Sequence, residues 1–141
     1  MKLLITGGGG FVGARLARTL LQRGRLADRP IDALVLADQV APPAELLADP
    51  RVSARVGPLL DQCAALADEG FDGVFHLASA VSGECEADFD LGLRSNLDST
   101  RALLEALRQR QQRGGAPTRL VFSSSVAVFG PDPSVPLPPV V

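Results

Sequence analysis

Residues 6–13 read Thr6-Gly7-Gly8-Gly9-Gly10-Phe11-Val12-Gly13, after a short apolar run from Lys2 to Ile5 and ahead of an amphipathic segment. Strand, glycine turn and helix in that order build a cradle for a dinucleotide. Glycine lets the chain turn with positive φ and lets a diphosphate approach with no Cβ in the way. The first-turn amides of the helix then point at the anion, and the helix dipole favours it. A glycine-rich turn with no ligand is the plain alternative, and the flanking strand and helix argue against it. Two spacings fit the run: Gly8, Gly10 and Gly13 match G-x-G-x-x-G, while Gly7, Gly10 and Gly13 match T-G-x-x-G-x-x-G.

The chain has 141 residues, 46% of them hydrophobic, which is enough for one domain with a real core. Strand-length apolar runs alternate with helix-length segments. Strands are expected at Lys2–Thr6, Ala33–Ala37, Val52–Val56, Gly73–Leu77 and Arg119–Ser123. Helices are expected at Phe11–Arg23, with Val12, Leu16 and Leu20 inward and Gly24 as the stop, and at Asp61–Glu69, with Asp61 as cap. A long helix over Ala87–Arg113 should bury Leu93, Leu97, Ala102, Leu103 and Leu107, and Ala78–Cys85 reads as a loop of small residues. Such alternation implies parallel strands with right-handed crossovers, hence an α/β Rossmann-type doubly wound sheet of order 3-2-1-4-5. Ligands of that fold bind at the carboxyl ends of the strands, at the switch point.

Net charge is −2, so there is no electrostatic case for nucleic acid or an anionic membrane. No secretory signal or bilayer-length apolar run is visible, and Cys63 and Cys85 are too far apart for C-x-x-C, so a cytoplasmic protein with reduced thiols is expected. His76 is the lone histidine, with no cysteine nearby, and no metal site is expected.

The candidate site residues fall at the strand ends. Asp38 ends the second strand, where a carboxylate can accept from both ribose hydroxyls and repel a 2′-phosphate, favouring NAD over NADP; a solvated loop aspartate is the alternative. Gly57-Pro58-Leu59-Leu60 either lines the adenine, with Leu59 in contact, or is a simple turn. Leu77 and Ala78 are small enough to let cofactor pass close to the backbone, while His76, inside the strand, reads as a core histidine. Ser82 and Gly83 could meet a hydroxylated substrate or simply begin a helix. Asn96 sits in a helix it does not favour, which invites a hydrogen-bonding reason near the site, a merely exposed asparagine being the alternative. Ser123-Ser124-Ser125 closes the fifth strand, and no G-x-S-x-G elbow marks any of the three as a nucleophile.

Taken together, the T-G-x-x-G-x-x-G turn, Asp38, the H-L-A segment, Asn96 with Thr100, and S-S-S-x-x-x-F-G resemble the extended short-chain dehydrogenase/reductase family of epimerases and dehydratases. The resemblance selects Gly7, Gly10 and Gly13, with Phe11 and Val12 between them, as the cofactor loop. HLASAVSGECEADFDLG and SSSVAVFG are most similar to members that oxidise a four-carbon sugar acid at carbon 2 with NAD. The resemblance implies an NAD-dependent oxidoreductase with a sugar-acid substrate. It implies Ser125 as the serine that orients substrate and Asn96 as a supporting cofactor-site residue. Family members use a Tyr-x-x-x-Lys pair for acid–base work. This chain has no tyrosine, and its single lysine is Lys2. We therefore expect residues 1–130 to be an NAD-binding portion, truncated before the catalytic helix and substrate lobe and inactive alone, with a proline-rich 131–141 leading onward. A nucleotide-sugar epimerase or dehydratase, or a non-catalytic NAD-binding protein, are the rival expectations, and a homodimer is compatible with all three. No residue is an obvious clamp for a substrate carboxylate; Arg94 lies in the right helix, with solvent as its other destination.

Overall fold

The computed structural model describes residues 1–129, so the boundary expected at residue 130 and the segment 131–141 lie outside the described residues. Its elements in order are β1 (Lys2–Thr6), α1 (Phe11–Arg23), β2 (Arg25–Leu26), β3 (Arg29–Pro30), β4 (Ala33–Asp38), α2 (Ala44–Leu47), β5 (Val52–Val56) and α3 (Leu59–Glu69). Next come β6 (Gly73–His76), α4 (Ser82–Ala87), α5 (Phe89–Gly92), a π-helix (Leu93–Asp98), α6 (Ser99–Gln112), β7 (Arg119–Phe122) and a 3-10 turn (Val126–Phe129).

The long strands form one five-stranded sheet in the order β5-β4-β1-β6-β7, all pairs parallel. Counting only those strands along the chain, this is the 3-2-1-4-5 order expected from the alternation of elements. Central β1 and β4 are apolar on both faces because helices cover both, as parallel sheets require. Leu3, Ile5, Leu34 and Leu36 pack with Ala14, Ala17 and Leu20 of α1 on one face. Leu4, Val35 and Val74 pack with Cys63 and Leu66 of α3 and Leu103 of α6 on the other. Gly24 ends α1 at φ 64, and its amide donates to the Leu20 carbonyl. Among the described residues no helix is long and apolar enough to cross a membrane.

Four details add to or correct the expectations. The stretch after α1, to which no element was given above, contains a small antiparallel ribbon, β2 paired with β3. Helix α3 begins at Leu59 behind Pro58, which presets the backbone for a helix start, so Asp61 lies in the first turn and does not cap it. The loop expected over Ala78–Cys85 ends at Val81, and α4 begins at Ser82, the alternative given for Ser82 and Gly83. The long helix is broken into α5, a π-turn and α6, and Leu93 and Leu97 are exposed. The i→i+5 bonds of a π-turn add a residue to the repeat, so the face projected back from Leu103 no longer applies before Ser99.

Leu103 is fully buried and its neighbour Leu104 is 47% exposed. Leu103→Ala should lower unfolding free energy by about 2–5 kcal/mol in urea titration. Leu104→Ala should change it by no more than about 0.5 kcal/mol.

Candidate functional site: a cleft at the switch point

β1 and β4 run on to helices on one face of the sheet and neighbouring β6 to α6 on the other, leaving a crevice beyond the carboxyl ends of β1 and β6. A cleft of about 760 Å³ lies there. Gly7, Gly10, Phe11, Val12 and Gly13 form its floor, Asp38 and Leu59 one side, and Leu77 and Ala78 the other.

The glycines are not equivalent. Gly7 has φ +73, and a Cβ on it would press to 2.9 Å from the Ala78 amide nitrogen. A Cβ on Gly13 would collide with the Gly7 carbonyl, so α1 can approach β1 only with glycine there. Gly8 and Gly9 are held bare by Leu36 and Val40. Gly10 differs from all of these. Its φ of −74 and ψ of 169 suit any residue, and a Cβ would meet only the Gly7 carbonyl oxygen at 3.4 Å. The protein's own packing therefore gives no reason for glycine at residue 10. Space for a ligand against the backbone does. No side chain caps α1, so its first-turn amides remain available to an anion. Phe11 and Val12 stand exposed beside them, at 89% and 62%, and Val12 thus departs from the inward face expected for it. These features fit a dinucleotide cofactor.

Asp38 has two tasks. Its Oδ2 accepts from the Gly9 amide at 2.9 Å, bracing the glycine turn, and its carboxylate also lines the cleft. The bracing role was not legible in the sequence, because it depends on β4 ending level with the turn.

Behind the cleft a hydrogen-bond relay runs outward from buried Thr6 and His76. The Thr6 hydroxyl accepts from the amides of Leu77 at 3.1 Å and Ala78 at 3.2 Å. Both its lone pairs are then used, so its proton goes to His76 Nδ1, 2.7 Å away. His76 Nε2 carries the ring proton and donates to Thr100 Oγ1 at 2.9 Å, which in turn donates to the Asn96 carbonyl at 2.8 Å. The network fixes one neutral tautomer. Burial pushes the His76 pKa below its ordinary value, consistent with an imidazole that has no room for a second proton.

Asn96 does not line the cleft. Its side chain grips the Ala80 backbone, with Oδ1 accepting from Ala80 N at 2.8 Å and Nδ2 donating to Ala80 O at 3.1 Å. It thereby sets the course of the loop that does line the cleft. Ser82 and Gly83 are exposed at the start of α4 and are not brought to the cleft wall. Ser125 is exposed just past β7, and its carbonyl accepts from the Val128 amide. The cleft wall also includes Glu84, Leu91, Arg94, Ser95 and Ser99.

With this geometry in view, comparison with known proteins is informative. The model of the NAD dependent epimerase/dehydratase family matches residues 3–139. D-erythronate dehydrogenase of Cupriavidus necator is 50% identical over all of this chain and 42% of its own length. D-erythronate dehydrogenase of Haemophilus influenzae is 43% identical over 92% of this chain and 39% of its own length. Among solved structures, a nucleoside-diphosphate-sugar epimerase from Agrobacterium tumefaciens superposes with a TM-score of 0.86 at 40% identity, covering 95% of this chain and 40% of that one. A UDP-glucose-4-epimerase from Stenotrophomonas maltophila with bound NAD superposes with a TM-score of 0.73 at 28% identity, covering 97% of this chain and 40% of that one. The chain thus spans about two-fifths of the length of these relatives.

A histidine whose native pKa lies below its unfolded value of about 6.5 makes the unfolded state take up a proton the native state refuses. Stability is complete above that value and is lost as pH falls through it. His76 is the only histidine. Asp49 and Glu105, held near 2 by hydrogen bonds from Arg51 and Arg108, titrate well below that window. Melting temperature should therefore fall between pH 7.5 and 5.5. His76→Gln should flatten that fall while lowering stability at both ends, as thermal melts across pH would show.

Proposed function

Since the chain belongs to the NAD dependent epimerase/dehydratase family, we propose that the protein is an NAD-dependent oxidoreductase acting at carbon 2 of a small sugar acid of the D-erythronate kind. Residues 1–130 are its cofactor-binding portion. The observation that carries the cofactor assignment is Gly10, bare where the fold itself would accept a side chain. The likeness to two D-erythronate dehydrogenases across nearly the whole chain supports the substrate class.

Bound NAD supplies the hydride acceptor. The chain's own residues bind and orient. Backbone from Gly7 to Gly13 and the free amides of α1 hold a diphosphate, with Phe11 and Val12 covered by it. Asp38 accepts from the adenosine ribose hydroxyls and disfavours a 2′-phosphate by charge. Leu59 borders the adenine, while Leu77 and Ala78 present a low wall to the ribose beyond the diphosphate. Ser125 orients the substrate hydroxyl by hydrogen bonding. None of the 141 residues is a tyrosine, so the tyrosine that would take the hydroxyl proton is not among them.

The likeness to UDP-glucose-4-epimerases supports a second reading, epimerisation or dehydration of a nucleotide sugar. Calorimetry separates the two: the first reading expects the NADH-loaded protein to bind D-erythronate and ignore UDP-glucose, and the reverse result would sink it.

Gly10→Ala should weaken NADH binding at least tenfold, about 1.4 kcal/mol. It should leave stability unchanged or raise it by about 0.4–1 kcal/mol, since the backbone suits alanine. Fluorescence titration and urea unfolding read the two effects, and unchanged affinity would overturn the cradle assignment. The native protein should prefer NADH to NADPH. Asp38→Asn, which keeps an acceptor for the Gly9 amide, should narrow that preference with little loss of stability. Asp38→Ala should narrow it and also destabilise the turn.

A further inference from the structure

The cleft wall is acidic. Asp38, Asp61 and Glu84 line it, and Arg94 is the sole basic side chain among the lining residues. Of the charged side chains on that wall, only Arg94 attracts an anionic substrate.

Arg94 also differs from the seven arginines that pair with carboxylates, and of the unpaired ones it alone lines the cleft. Arg18, Arg25, Arg29, Arg51, Arg55, Arg108 and Arg113 are each paired with a carboxylate. The Arg94 guanidinium has no ion pair or hydrogen bond among the described residues, although Glu84 shares its stretch of wall. Its backbone, by contrast, is pinned. The Arg94 carbonyl accepts from both the amide and the hydroxyl of Ser99, the latter at 2.7 Å. Ser99 is buried, and its own carbonyl accepts from the Cys63 thiol of α3 at 3.6 Å. The amide bond to Arg94 spans five residues, which makes this turn a π-turn. Such turns are uncommon and cluster at functional positions. This one places Arg94 and Ser95 together on the cleft wall, next to the Ala78–Ala80 loop.

We infer that Arg94 is the carboxylate ligand of the cleft, a planar fork that selects a small hydroxy acid over the corresponding neutral polyol. The inference rests on the sugar-acid reading above and names the residue that enforces it. Guanidinium matches a carboxylate with two parallel N–H···O bonds, whereas a lysine ammonium offers a point charge. An unpaired arginine on a pinned backbone in an acidic cleft passes over neutral polyols and gathers acids.

The test uses the full chain saturated with NADH and calorimetric titration with D-erythronate and with erythritol, which lacks the carboxylate. The native protein should bind the acid and not the polyol. Arg94→Gln should raise the dissociation constant for D-erythronate at least tenfold, with NADH affinity and melting temperature unchanged. Arg94→Lys should fall between the two. Native-like binding of the acid by Arg94→Gln overturns the inference and leaves the sugar-acid reading intact. Loss of NADH affinity in Arg94→Gln with unaltered acid binding also overturns it, assigning the arginine to the cofactor diphosphate. A native protein that binds UDP-glucose and no D-erythronate overturns the sugar-acid reading, and this inference with it.

Discussion

The approach of α1 to the end of β1 is the contact on which the remaining geometry depends. A helix can point its amino terminus at a strand end closely enough to form an anion site only where no Cβ intervenes. Gly13 meets that demand against the Gly7 carbonyl, and Gly7 meets it against the backbone just after β6, at Leu77 and Ala78. The same closeness stacks Ala14 and Ala17 on Leu3 and Ile5, so the turn and the core on that face are one packing problem. Substituting either glycine would therefore disturb fold and site together. Gly10 lies outside this constraint, which is why its bareness speaks of a ligand.

The other side of the switch point is held by polar groups. Thr6 sits at the end of β1, buried, and receives both amides that begin the loop after β6. Through His76 and Thr100 the order continues to the Asn96 carbonyl, while the Asn96 amide grips Ala80. Each bond fixes the direction of the next, because every hydroxyl has one proton to give. A network with buried members is costly when half satisfied and rigid when complete. Here every buried side-chain polar atom among the described residues has a partner. The loop lining the cleft is consequently positioned from beneath, with its outer surface left for ligands.

Much of this was visible in the residues. Apolar runs such as Ala33–Ala37 can only be strands covered on both faces, and the glycine turn after Lys2–Ile5 reports its own tight packing. What the residues concealed has a common physical cause. The π-turn at Leu93–Asp98 arises because the Arg94 carbonyl accepts from Ser99, a choice made by burial of Ser99 against α3 rather than by local preference. Periodicity assumes one repeat along a helix, so Leu93 and Leu97 were assigned inward when they face out. Asn96 invited a hydrogen bond by its residue type, but its partner, Ala80, lies in a loop whose path no local pattern encodes. Asp38 was legible as a strand-end carboxylate, and its bond to Gly9 was not, since that bond requires two strands to end in register.

The distribution of charge along the cleft gives it a direction. Asp38 stands at the β4 end, where a carboxylate suits uncharged hydroxyls and repels phosphate. In the middle, main-chain amides at the start of α1 supply positive potential without a single basic side chain. Arg94 stands beside the loop after β6, the one basic side chain of the lining. A ligand with hydroxyls at one end, a diphosphate in the middle and an acid partner at the other meets complementary groups in that order and in no other. Reversal would set the acid against Asp38 and leave Arg94 facing neutral hydroxyls. Because backbone dipoles carry the central positive potential, the site can hold an anion while the protein keeps a net charge of −2. Among the side chains that line the cleft, Arg94 alone carries positive charge, and it stands apart from the backbone amides at the start of α1.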